Sequence, residues 1–121
     1  MQVIDVKPAF TLRSPLTQQL YDFDRKRNIR KLEDEPSIRE FKNWRVIENK
    51  YPYDKIAVKH HLLLANSGAF SMNDLTRAET VELIDLLTGQ LSMEYDVVMY
   101  NMPAKQSVKN LLHFHLCTYI S

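Results

Sequence analysis

The chain has 121 residues, 45% apolar and 26% charged, which fits one globular domain with a single core. With 16 Lys and Arg against 15 Asp and Glu the net charge is +1, so no overall electrostatic pull toward nucleic acid or an anionic membrane is expected. One cysteine, Cys117, excludes an internal disulfide and a Cys-only zinc site, and glycine only at Gly68 and Gly89 excludes the glycine-rich loops that cradle phosphates.

The first ten residues carry Val3, Ile4, Val6 and Phe10 around Pro8 and read as a short edge strand. Asp5, Lys7 and Pro8 interrupt what would be the apolar stretch of a signal peptide, and no run reaches the roughly 20 apolar residues of a membrane span, so a cytoplasmic protein without a membrane role is expected. Ser14 and Pro15 form an N-cap followed by proline at the first helical position, with Leu16, Leu20 and Phe23 at helical spacing behind them. The basic run of Arg25, Lys26, Arg27, Arg30 and Lys31 gives way at once to Glu33, Asp34 and Glu35, and no aromatic platform is interleaved with it. It reads as a solvated helix end rather than a nucleic-acid surface.

Trp44, Val46, Ile47 and Tyr51 lie in a stretch that reads as a strand, Ile56-Ala57-Val58 with His61-Leu62-Leu63-Leu64 supplies a buried strand, and the turn Tyr51-Pro52-Tyr53-Asp54 joins the two. Thr76 and Glu79 have capping-box spacing and open a helix over 77–93. Its stripe of Ala78, Val81, Ile84, Leu87 and Leu91 is expected to pack on a sheet, with Glu79, Glu82 and Asp85 turned outward. Val97, Val98, Met99 and Tyr100 make a further apolar run ending at Asn101. In the last strand Leu112, Phe114, Leu116 and Thr118 alternate with His113, His115, Cys117 and Tyr119, so both histidines and the cysteine share one face. The order of elements predicts an α+β domain, an antiparallel sheet of about five strands packed with helices. Residues 44–120 form its core and 1–43 an N-terminal extension with a helix.

Histidines at i and i+2 on a strand lie about 7 Å apart on one face and can share a small ligand. By spacing alone such a pair is either hydrogen-bonded within a half-buried sheet, or part of a metal site completed by Cys117 or another strand. The segment Leu112-His113-Phe114-His115-Leu116-Cys117-Thr118-Tyr119, with His60 before the aliphatic run Leu62-Leu63-Leu64 some 50 residues upstream, resembles the histidine triad (HIT) family. Asp74-Leu75-Thr76-Arg77-Ala78-Glu79 and Val97-Val98-Met99-Tyr100-Asn101 are similar to the family's helix start and to its strand ending in asparagine. The resemblance covers roughly residues 44–120.

The resemblance implies a HIT-like fold, a purine nucleotide derivative as ligand, a homodimer with the 77–93 helix as packing surface, and no required metal or cofactor. It also implies hydrolysis or nucleotidyl transfer at the α-phosphate through a nucleotidyl-histidine. His115 would be the nucleophile, with His113 and His60 orienting it and stabilising charge, and Asn101, Ser107, Gln106, Lys105 and Cys117 would contact phosphate or line the pocket. Three positions depart from the pattern. Cys117 stands where the third histidine would, residues 102–110 contain no glycine, and Ala65-Asn66 replaces a proline and a basic residue. A binding or scaffold protein of the same fold that has lost turnover, and a histidine-based metal-binding module, are the competing expectations.

Overall fold

Nine residues of alternating and then continuous apolar character, Ala57–Ala65, form the central strand β3 of a five-stranded antiparallel sheet. The computed structural model describes residues 11–27, 31–105 and 111–121. Helix α1 spans Pro15–Arg27, β1 Ser37–Glu40, β2 Trp44–Glu48, α2 Arg77–Thr88, β4 Val97–Met99 and β5 His113–Tyr119. The sheet order is β1-β2-β3-β5-β4, so β3 and β5, which carry the histidines, are inner neighbours. The α+β class and the five antiparallel strands agree with the sequence reading. The fifth strand, however, is β1, a segment whose weak alternation gave no sequence signal. The edge strand expected in the first ten residues lies outside the described residues.

The register divides the side chains between two layers. On one face Trp44, Val46, Leu63, Leu112, Phe114 and Leu116 pack with Leu83 and Leu86 of α2 and with Leu91 and Tyr95 behind it. On the other, Ile47, Leu62, Leu64 and Leu111 form a smaller cluster. His60 pairs with Cys117 and Leu62 with His115 across β3 and β5, which puts the histidines on this second face.

Helix α2 corrects the expected stripe. Its buried residues are Glu79, Leu83 and Leu86, and Val81 and Ile84 are 50% and 56% exposed, while Leu87 packs on the core and Leu91 beyond the helix is buried as expected. Asp85 points outward as expected, but Glu79 and Glu82 face inward, where their carboxylates satisfy backbone amides. Glu79 accepts from Thr76 N–H at 2.8 Å and from the Ser67 hydroxyl at 2.6 Å, and Glu82 accepts from the N–H groups of Lys42 and Asn43 at 3.1 and 2.8 Å. Trp44 Nε1–H donates to Glu79 O at 2.9 Å, which fixes the rotation of the helix over β2. The helix also stops earlier than expected, at Gly89, where an added Cβ would lie 2.8 Å from Asp85 O, and Leu91–Met93 continues as a 3-10 turn.

Helix α1 starts where the Ser14-Pro15 signal placed it, but it buries no residue, and Leu16, Leu20 and Phe23 are 67%, 51% and 56% exposed. It attaches by its polar side. The two apolar stripes therefore differ in energetic weight. Leu86→Ala is expected to cost about 2–5 kcal/mol, the usual range for a truncated core leucine. Leu20→Ala is expected to stay within about 0.5 kcal/mol. Urea denaturation of the two variants checks this, and equal losses would mean that the α1 stripe is covered.

Candidate active site

Three imidazoles gather on the second face of the sheet: His60 from β3 and His113 and His115 from β5, each 4% exposed or less. Their ring centroids lie 5.0 Å apart for His60 and His115 and 5.2 Å apart for His113 and His115. Tyr53, buried in the loop between β2 and β3, stacks on His115 at 5.1 Å with 18° between the planes. His61 points to the opposite face, as the alternation requires, where its Nδ1 meets Tyr95 Oη at 2.6 Å.

The hydrogen bonds give each ring a definite tautomer. Tyr53 N–H donates to His60 Nδ1 at 2.9 Å, and a backbone amide can only donate, so that nitrogen carries a lone pair. Asn49, whose side-chain oxygen accepts from Tyr51 N–H, lies with its amide nitrogen against the same ring edge, 3.2 Å from Nδ1 and 3.1 Å from Nε2. Neutral His60 therefore bears its proton on Nε2, and this N–H donates to His115 Nδ1 at 2.8 Å. His115 in turn bears its proton on Nε2. The Asn101 side-chain nitrogen donates to Tyr53 Oη at 3.3 Å and lies 3.3 Å from His115 Nε2. His113 is oriented the other way. Its Nδ1–H donates to Leu111 O at 2.9 Å, which leaves the lone pair on Nε2.

Burial holds these rings neutral. It lowers the His60 pKa to about 4, helped by the positive charge of Arg13, and the His115 pKa to about 3, helped by His113. It also lowers that of His113, against the opposing effect of the Leu111 carbonyl. The network has the same consequence, since a second proton on His60 or His115 would set two N–H groups against each other. Beside them the Cys117 thiol is buried and pushed up to about 11 by desolvation, so it is un-ionised near neutrality and lacks the activation of a reactive cysteine.

Of the residues singled out in the sequence, the structure thus brings together His60, His113, His115, Asn101 and Cys117. Lys105 ends a 3-10 turn over Pro103–Lys105, and Gln106 and Ser107 lie outside the described residues. Sequence reasoning missed Tyr53 and Asn49 as partners of His60, and it missed Arg13, whose guanidinium carbon lies 5.1 Å from the Tyr53 ring centroid. None has a motif of its own: two act through the β2–β3 loop, and Arg13 arrives from 40 residues away in sequence. Among the described residues no group of three or more His, Cys, Asp or Glu side chains is arranged to hold a metal ion. This fits the network, in which the lone pairs of His60 and His115 each accept an N–H and do not converge on one point. No helix among the described residues is long and apolar enough to cross a membrane. Comparison of the sequence with protein-family models and with curated proteins finds no match in either.

The buried neutral histidines make stability dependent on pH. Their folded-state values lie below the ordinary 6.5, so between 6.5 and about 4 the unfolded chain binds more protons than the folded one. Stability is therefore fully present above 6.5 and falls as the pH drops through this window. Urea midpoints measured from about pH 7.5 down to about pH 5 should decrease, with uptake of about two protons on unfolding at the lower end. A level midpoint would mean that the rings titrate in the fold as they do in the unfolded chain.

Proposed function

We propose that the chain binds a purine nucleotide derivative over the three histidines and cleaves or transfers at its α-phosphate through a nucleotidyl-histidine. The reading rests on the likeness of Leu112 to Tyr119 and His60 to the histidine triad pattern. It is supported by three buried, neutral imidazoles with opposed hydrogen-bond polarity in one place. Within this reading the roles that the resemblance implies are exchanged. His115 offers an N–H at Nε2 and its Nδ1 lone pair is already taken by His60, so it is suited to hydrogen-bond a phosphate oxygen as negative charge grows there. His113 has the nucleophilic form, with its proton held on Nδ1 by Leu111 O and a lone pair on Nε2.

In the first step the His113 Nε2 lone pair forms a bond to phosphorus and the bond to the leaving group breaks, the leaving group departing with the electron pair. The resulting imidazolium is stabilised by Leu111 O. Water or a second nucleophile then attacks phosphorus, loses its proton and breaks the N–P bond, restoring the neutral ring. The observation that carries the assignment is the bond from His113 Nδ1 to Leu111 O. The test is incubation with the 5′-phosphorimidazolide of adenosine, followed by alkaline quench and fragmentation of the peptide containing both histidines. An adenylyl group on His113, lost in His113→Ala and slowed by roughly 10²-fold in His115→Ala, is the expected result. Adduct on His115 would restore the role implied by the resemblance. Absence of any adduct with nucleotide still bound would favour the scaffold reading.

The same reading includes a homodimer packed through α2. Val81 and Ile84, with Ala78 beside them, form an exposed apolar strip on that helix. Light scattering is expected to report a dimer for the wild type and a monomer for Val81→Glu with Ile84→Glu. A wild-type monomer would remove this part of the proposal.

A further inference from the structure

The β2–β3 loop is held from two sides. Toward the sheet, Tyr53 gives its N–H to His60 Nδ1 and its ring to His115. Toward the N-terminal extension, the residues that flank Tyr53 are tied one by one to α1 and the segment before it. Asp54 Oδ1 accepts from Ser14 N–H, and Oδ2 accepts from the hydroxyls of Ser14 and Thr17 at 2.8 and 2.7 Å. Arg13 Nε–H donates to Tyr51 O at 2.8 Å, and Lys55 N–H donates to Leu12 O at 3.0 Å. The Tyr51 hydroxyl bonds Asp24, and Tyr51 meets the Tyr21 ring edge-on at 5.2 Å. Helix α1 buries no side chain, so these polar contacts hold it in place, and Asp54 is the group on which three of them converge.

We propose that Asp54 is a positioning residue for the histidine chain: by capping α1 it brackets the Tyr53 peptide, keeps that N–H on His60 Nδ1, and so determines which nitrogen of His60 and of His115 carries the proton. The consequence follows from counting protons. With the Tyr53 amide in place, His60 must donate from Nε2 and His115 must accept at Nδ1. With the amide withdrawn, His60 can carry its proton on Nδ1, His115 can then donate from Nδ1 to His60 Nε2, and the lone pair of His115 moves to its Nε2. No proton is gained or lost overall; each ring changes tautomer. The polar clamp of the N-terminal helix thereby decides whether His113 alone, or His115 as well, has a lone pair on Nε2. Its meaning for catalysis rests on the function proposed above; its effect on the tautomers does not.

The test uses the ¹⁵N-labelled full chain, without substrate, and long-range ¹H–¹⁵N correlations of the imidazoles at neutral pH. In the wild type His60 and His115 are expected as pure Nε2–H forms and His113 as pure Nδ1–H. In Asp54→Ala the His60 and His115 nitrogens are expected to move to averaged tautomer positions, while His113, held by Leu111 O two residues before it, keeps its own. Asp54→Asn can keep all three contacts, its oxygen accepting from Ser14 N–H and its amide nitrogen donating to the Ser14 and Thr17 hydroxyls, and should restore the wild-type pattern. Ser14→Ala with Thr17→Ala removes the two hydroxyl contacts and leaves only the Ser14 N–H bond, should move the His60 and His115 nitrogens in the Asp54→Ala direction, and carries the test if Asp54→Ala does not fold. Unchanged tautomers in Asp54→Ala, averaging of all three histidines together, or a different wild-type pattern would each overturn the proposal. Lack of nucleotide turnover would remove the proposed reaction and leave the spectra standing.

Discussion

A single backbone amide, that of Tyr53, sets the polarity of the site. Because an amide can only donate, the nitrogen of His60 that it meets must accept, and the next ring is then determined by the hydrogen bond from His60 to His115. Leu111 O fixes His113, while the two linked neutral imidazoles could hold their protons in more than one arrangement, and the Tyr53 contact selects one of them. It also helps explain why the rings tolerate burial. Among the described residues no buried side-chain nitrogen or oxygen lacks a partner, and charging either linked ring would create a clash of two donors.

The other face of the sheet is built by apolar packing, and the contrast assigns different tasks to the two layers. Trp44, Leu63, Phe114, Leu83 and Leu86 form a continuous core between the sheet and α2. The histidine side has a smaller apolar cluster and a helix that buries no residue and is attached by hydrogen bonds, ring contacts and the Lys50–Asp24 ion pair. Stability is supplied mainly by the first layer, since area removed from water scales with apolar burial, and geometry at the site by the second. Polar contacts are individually modest in net free energy, but they are directional, which is the property a proton-specific site requires.

Helices α1 and α2 show how a helix can present a readable apolar stripe and still turn residues of it away from its own fold. Leu87 packs on the core and Leu91 beyond the helix is buried in it, but Leu16, Leu20 and Phe23 of α1 and Val81 and Ile84 of α2 are exposed, because polar groups on another face have stronger claims. Glu79 and Glu82 satisfy amides of the Thr76 cap and of the turn before β2, while Ser14, Thr17 and Asp24 meet Asp54 and Tyr51. Leaving such groups buried without partners would cost more than exposing a few methyl groups.

Local patterns in the chain were sufficient for the α+β class, the start of α1 at Ser14-Pro15, the Thr76 capping box, and the alternation that puts His113, His115 and Cys117 on one face of β5 and separates His60 from His61. These features depend on residues a few positions apart, so spacing is enough to reveal them. Strand β1, the rotation of α2, and the direction of the hydrogen bonds through the histidines were settled only by tertiary structure. Strand β1 exists because β2 offers it an edge. The phase of α2 follows from Trp44 Nε1 finding Glu79 O 35 residues away, and the tautomers of His60 and His115 follow from a loop amide delivered to His60 and from the packing of β3 against β5 that joins the two rings. A periodicity names a face of an element, but which face is buried, and which nitrogen of a buried ring holds its proton, depends on the partner that the rest of the chain delivers.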